Sequence, residues 1–283
     1  MKHSGRLTKL FARWAVLTFS LALLLFLVAG TTRLPSLRNF LATLSAFQLA
    51  TMLAIDPELV EERSSTFGTK GASVRVFPSL SFVATLVVAA FEVGRLHSLP
   101  SVPAQARQAS LLLFAMALGL QMWAMVVNPF FSPEIRLQSE RGHQLVAGGP
   151  YRMVRHPGYL AMLVAVPASA LAIGSWLALA PAATFCLTIL KRVGMEEEFL
   201  LRNLAGYSEY VKKVRGRLLP RMEFRPHPRR NDRPQYLRPA GRSEARPAAR
   251  HPPRWHARSG DSETRRSLPR SEGLGRTGLL ACR

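Results

Sequence analysis

The sequence predicts an all-α, polytopic membrane helical bundle of about six spans, the last two a tight hairpin, with a cytosolic cofactor pocket and a disordered C-terminal tail. Three observations carry that expectation. Hydrophobic residues make up 48% of the chain although its formal net charge is +21, so the two properties must be segregated along it. Apolar runs fill the first three quarters, whereas residues 221–283 hold 16 Arg, no Lys and 6 acids, which dilutes the mean hydropathy to +0.09. Between the apolar runs lies one stretch, His143 to Tyr159, that concentrates glycine, proline, arginine, histidine and tyrosine at a membrane boundary. Polar residues held at such a boundary usually have a task.

Lys2, Arg6, Lys9 and Arg13 precede the first apolar run, Trp14 to Gly30. Its layout resembles a signal peptide, but it is longer than a usual apolar leader core and no Ala-x-Ala site follows, so a retained span is expected. Phe40 to Ile55 is the second span, more polar because of Thr43, Ser45, Gln48 and Thr51. Asp56 to Arg75 reads as a polar loop containing one surface helix, with Asp56 as its cap and Pro57 at its first position. Phe77 to Val93 is the third span and Leu111 to Val127 the fourth, stopped by Asn128-Pro129-Phe130-Phe131, whose aromatic pair suits the headgroup level. Leu160 to Ile173 and Trp176 to Leu190 are each short for a full crossing, and only Gly174-Ser175 separates them. A tight hairpin follows, and its two ends must then emerge on one side. Residues 1–55 thus form N-terminal spans, 56–220 the main membrane domain and 221–283 a tail.

Basic residues of the short connections orient the bundle. With the N-terminus inside, Lys2, Arg6, Lys9, Arg13, Arg63, Lys70, Arg75, Arg136, Arg141, Arg152 and Arg155 face the cytosol, against Arg33, Arg38, Arg95 and Arg107 on the other side. The bias places the 143–159 stretch where a soluble cofactor can reach it. The tail has eight prolines and no apolar periodicity, so it is expected to stay disordered and to rest on anionic lipid. No aromatic-interleaved module accompanies its arginines, so specific nucleic-acid binding is not expected. The two cysteines, Cys186 and Cys282, lack any spacing that suggests metal, haem or a disulfide framework, and no metal is expected.

The residues that can carry chemistry fall in two clusters. Gly148-Gly149-Pro150 makes a turn whose backbone a ligand can approach, and Tyr151 adds a flat wall with a hydroxyl. Arg155 and His156 precede Pro157, which suits the first turn of a helix, so both lie near a positive helix end that attracts anionic groups. The plainer alternative makes Arg152 and Arg155 anchors for lipid phosphates and Tyr151 and Tyr159 belt aromatics. Glu196, Glu197 and Glu198 continue from the last span, and the hairpin brings them beside Arg155 and His156. Helical spacing pairs Arg192 with Glu196 and leaves Glu197 on another face. Tyr207 and Tyr210 then precede Lys212, Lys213 and Arg215, the pattern of an amphipathic helix lying on the membrane.

The series His143-x-Leu145-Val146-x-x-Gly149-Pro150-Tyr151-x-x-x-Arg155-His156-Pro157-x-Tyr159, followed by a hairpin, Glu196-Glu197-x-x-Leu200 and Gly206-Tyr207-x-x-Tyr210, resembles the isoprenylcysteine carboxyl methyltransferase superfamily of membrane methyltransferases, which includes phospholipid methyltransferases. The flanks Asp56-Pro57-Glu58-Leu59-Val60-Glu61-Glu62-Arg63, Asn128-Pro129-Phe130-Phe131-Ser132 and Arg217-Leu218-Leu219-Pro220 are similar to a bacterial branch, so the resemblance covers about Asp56 to Pro220. It implies S-adenosylmethionine as cofactor, a lipid-like or prenylcysteine-like acceptor arriving from the bilayer, and a bacterial inner membrane location. It also implies that Leu145, Val146, Gly149 and Tyr151 line the adenosine end, while His156, Pro157, Tyr159 and Glu196 or Glu197 hold the amino-acid part. Arg155 and Glu197 would be the catalytic pair, and carboxyl O-methylation the favoured reaction. Two rivals remain: a nicotinamide-dependent sterol reductase, which usually has Asn where this chain has Gly158, and a non-catalytic membrane partner.

Overall fold

A computed structural model describes residues 2–55, 59 and 72–220. The surface helix expected from Asp56 and the tail beyond Pro220 lie outside the described residues, apart from Leu59. Among the described residues all regular secondary structure is helical. Helices α1 (Lys2–Ala29), α2 (Pro35–Ala54), α3 (Ala72–Phe91) and α4 (Ala104–Val127) are followed by a long connection, then α5 (Pro157–Ile173), α6 (Leu179–Asn203) and the short α7 (Tyr207–Lys213).

Among the described residues, three segments are long and apolar enough to cross a membrane: Thr8–Ala29, Phe77–Leu96 and Ala104–Val127. The remaining expected spans differ from these in instructive ways. Helix α2 has 20 residues but carries Arg38, Asn39 and Gln48, and α5 has only 17. Helix α6 runs well past Leu190, so its apolar first half and the glutamates form one continuous rod.

Helix α5 can be short because it is the centre of the bundle rather than its surface. Ala161, Ala165, Val166, Ala168, Ala170 and Ile173 are all buried, and they leave no polar face. The many alanines let neighbouring backbones approach closely, which is how membrane helices gain contact without a water-driven force. Leu25, Phe40, Leu86 and Phe114 pack with them in one cluster, where the Phe40 and Phe114 rings lie 5.0 Å apart. A second cluster of Val166, Ala182, Phe185, Ile189 and Val193 joins α5 to α6, with Phe82 of α3 against it.

The hairpin tip is closed by a group whose role is structural. Gly174 takes φ +116°, and Ser175 begins the return to α6. Above it, α3 ends in a π-helical turn, Glu92–Leu96, which re-aims Glu92 into the protein. The buried Glu92 carboxylate accepts from the Ser175 hydroxyl and, at 3.1 Å, from the Leu177 backbone N–H. The same turn ties down α1: the Arg95 guanidinium donates to the Val28 and Leu27 carbonyls at 2.8 and 3.1 Å, a cation on the negative end of a helix.

Gly94 is pressed against α1, and a Cβ there would lie 2.3 Å from the Ala29 carbonyl oxygen. Gly94→Ala is therefore expected to destabilise the protein by about 1–3 kcal/mol, the usual cost of overpacking. Gly194→Ala on α6, where nothing lies within 4 Å, is expected to be neutral or to stabilise by about 0.5–1 kcal/mol. Thermal melting of both variants in detergent checks the pair.

Candidate active site

The connection from α4 to α5 builds one wall of a cavity of about 770 Å³. It is fixed from within by side chains that satisfy backbone groups. Asn128 accepts from the Phe130 N–H at 2.9 Å and donates to the Tyr151 hydroxyl at 3.2 Å. Buried Gln138 donates to the Phe130 carbonyl at 2.9 Å and accepts from Arg141 at 2.6 Å. The His143 ring stacks on Phe130 with centroids 4.5 Å apart, and its Nδ1 accepts from the Gln138 N–H at 3.3 Å. Burial, then the positive charges of Arg136 and Arg141, push the His143 pKa down. These contacts place Leu145 and Val146 on the cavity wall.

Helices α5 and α6 supply the polar end. The Glu197 carboxylate, buried on α6, is met by Arg155 Nη2 at 2.5 Å, by Arg217 Nε and by His156 Nε2 at 3.4 Å. One helical step away, Glu196 accepts from the Tyr159 hydroxyl at 2.5 Å and lies 4.0 Å from His156 Nδ1. Arg192 does not follow the expected pairing with Glu196 along the helix. It donates instead to the Tyr159 hydroxyl at 2.8 Å and to the Pro133 carbonyl, so the tyrosine mediates between the two charges.

The segment after α7 completes the enclosure. The Arg155 and His156 backbone N–H groups donate to the Gly216 and Arg217 carbonyls at 2.9 and 3.0 Å. Arg155 Nη1 adds bonds to the Val214 and Arg215 carbonyls at 2.7 and 2.8 Å. Helix α7 was expected to lie on the membrane by an amphipathic face; its tyrosines instead turn inward. Tyr207 and Tyr210 are buried, and the Tyr210 hydroxyl donates to the Tyr151 carbonyl at 2.6 Å. The i, i+3 spacing correctly marks a single face, but an aromatic face can cover a protein pocket as readily as a lipid surface.

Leu145, Val146, Tyr151, Arg155, His156, Pro157, Tyr159 and Glu196 all line the cavity. Two of the sequence-predicted site residues stand elsewhere. Gly149, at φ +53°, abuts α4, where a Cβ would lie 2.9 Å from Val127 Cγ2, so it serves the turn's close approach to a helix. Glu197 sits behind the wall and holds Arg155 in place. Sequence reasoning missed Asn128, Tyr207 and Arg217 as components of this neighbourhood, although each stood in a motif it had picked out. From the polar end the cavity continues along Phe82, Val83, Phe114 and Leu118 between α3 and α4. The space is thus amphipathic, charged at one end and apolar at the other. Gly158, where a reductase usually has Asn, has no room for a side chain: a Cβ would lie 2.4 Å from the Phe131 ring.

Burial alone would raise the Glu197 pKa, but the nearby His156 ring, the hydrogen bond from Arg217 and the charge of Arg155 reverse this and hold it at about 2. A carboxylate depressed from 4.5 stabilises the fold above the unfolded value and loses that contribution as pH falls toward the folded one. The stability advantage of the native chain over Glu197→Gln is therefore expected to be flat above about pH 5.5 and to decay between about pH 4.5 and 2. Melting temperatures of the two proteins across that range in detergent check it.

Residues 109–202 match the family model of the isoprenylcysteine carboxyl methyltransferase (ICMT) family. Two rice proteins, from Oryza sativa subsp. indica and subsp. japonica, each named a probable protein-S-isoprenylcysteine O-methyltransferase, are 37% identical to this chain over 93 residues. The alignment covers 30% of this chain and 45% of each relative, so the chain spans about half the length of the curated relatives it matches. Through the segment 109–202, which carries α4, the 143–159 wall and the hairpin with its glutamates, the chain is similar to the isoprenylcysteine carboxyl methyltransferase family.

Proposed function

We propose that this chain is an integral membrane methyltransferase that uses S-adenosylmethionine to methylate a lipid-like or prenylcysteine-like acceptor, most readily at a carboxylate oxygen. The observation that carries the reading is the cavity itself, with buried Arg155 and His156 and the Glu196 carboxylate at one end and an apolar branch between membrane helices at the other.

The residues present fit the cofactor. About 770 Å³ is within the range of roughly 300–1,000 Å³ that small-molecule pockets occupy. Leu145, Val146, Leu200 and Leu204 offer an apolar slot for an adenosine, and Glu196, partly exposed to the cavity, offers a negative partner for an ammonium. Tyr159 and Arg192 would keep that carboxylate aimed. When bound, S-adenosylmethionine would supply an electrophilic methyl group on its sulfonium.

A carboxylate acceptor is already ionised, so its methylation would require no proton to move. The work left to the protein is alignment, and holding two reactants in line is worth several orders of magnitude. Arg155 cannot serve as a free guanidinium, because both terminal nitrogens are engaged with Glu197 and the 214–215 carbonyls. Its part is to fix the wall against which the reactants are aligned. The basic-residue bias of the connections supports a cytosolic pocket, and the resemblance to a bacterial branch supports an inner-membrane location.

Membranes containing the protein, incubated with methyl-labelled S-adenosylmethionine and a lipid extract, are expected to label a lipid or small amphiphile. Arg155→Ala and Glu197→Ala should each reduce that transfer by about a hundredfold, the scale on which a misplacement of an ångström acts. Label in no fraction with the native chain would contradict the enzyme and favour a non-catalytic partner protein.

A further inference from the structure

Among the described residues, three buried side-chain atoms lack a hydrogen-bond partner: Arg155 Nε, His156 Nε2 and the Tyr207 hydroxyl. Their location is informative. Folded proteins pair nearly all their buried polar groups, so an unpaired one calls for water, an ion or a ligand. Here all three belong to residues that line the same cavity. His156 Nε2 still has the Glu197 carboxylate 3.4 Å away. The Arg155 Nε and the Tyr207 hydroxyl have no hydrogen-bond partner.

Their chemistry restricts what they await. The Arg155 Nε–H can only donate, because a guanidinium has no acceptor. Burial pushes the Tyr207 phenol pKa up, and the Glu197 charge adds to this, so its hydroxyl keeps its proton. The charges around them favour one more anion: Arg155, Arg192 and Arg217 stand against Glu196 and Glu197.

We propose that the Tyr207 hydroxyl, together with the Arg155 Nε–H, binds a carboxylate oxygen of the molecule that occupies the cavity. This rests on the methyltransferase reading above, under which two molecules bring a carboxylate: the cofactor, through its amino-acid arm, and the acceptor, through the group to be methylated. Tyr207 becomes a binding residue contributed by α7, outside both the hairpin and the 143–159 wall.

The test uses Tyr207→Phe, which keeps the ring and removes only the hydroxyl, in the full chain in lipid nanodiscs. Three probes separate the sources: S-adenosylhomocysteine, 5′-methylthioadenosine, which lacks the amino-acid arm, and N-acetyl-S-farnesylcysteine as a carboxylate acceptor. If Tyr207 holds the cofactor carboxylate, the variant loses about tenfold or more in S-adenosylhomocysteine affinity and nothing for methylthioadenosine, as loss of a hydrogen bond to a charged group predicts. If it holds the acceptor carboxylate, both nucleosides bind unchanged and KM for the farnesylcysteine rises about tenfold. Either result supports the proposal. Unchanged affinities and KM throughout, or equal weakening of both nucleosides, would overturn it. Tyr210→Phe provides the reference for a purely structural loss, since its hydroxyl is spent on the Tyr151 carbonyl, and it should weaken both nucleosides alike. Failure of the native chain to bind either nucleoside would overturn the methyltransferase reading itself, and the proposal with it.

Discussion

A buried carboxylate must be paired or it becomes one of the most destabilising features a fold can contain. Glu197 meets that requirement by gathering groups from three parts of the chain: Arg155 and His156 before α5, its own helix α6, and Arg217 beyond α7. The requirement therefore fixes where the 143–159 wall, the hairpin base and the closing segment stand relative to one another. Arg155 extends the constraint, because the guanidinium that pairs with Glu197 also binds the Val214 and Arg215 carbonyls. One ion pair thus organises most of the polar rim of the cavity.

The hairpin is held in the same manner at its other end. Glu92 is buried at the tip and satisfied by Ser175 and the Leu177 N–H. A carboxylate at each end pins two helices whose middle is packed mainly by small apolar residues. Such packing gives contact but little directional information, and the charged ends supply the register that alanines cannot. The apolar middle is then free to border a cavity that runs from charged groups to membrane helices.

Much of this could be read in the sequence, and the omissions have physical causes. The two short apolar runs around Gly174-Ser175 required a hairpin, and the hairpin required Arg155 and the glutamates to meet. Which glutamate meets which partner depends on a rotation of about 100° per residue about α6, and that is decided by tertiary contacts. Arg192 shows this: spacing paired it with Glu196, whereas Tyr159 stands between them. Gly149 looked like a place for ligand approach because glycine permits close contact, but what it admits are the Val127 and Trp123 side chains of α4. Tyr207 and Tyr210 were legible as one helical face; only their depth in the fold shows that the face turns inward. Glu92 was hidden because an acid at the end of an apolar run gives no sign of which distant loop it will cap.

The central claim is that Arg155 and Glu197 act as one buried unit joining the two ends of the hairpin. A double-mutant cycle on thermal stability in detergent, with Arg155→Met, Glu197→Gln and both together, measures it most directly. Each single change leaves a buried charge without its partner, while the double change removes both charges, so the combined loss should fall short of the sum by about 1–3 kcal/mol. Losses that add to within about 0.5 kcal/mol would show that the two residues do not depend on each other, and the account of the site would fail with that result.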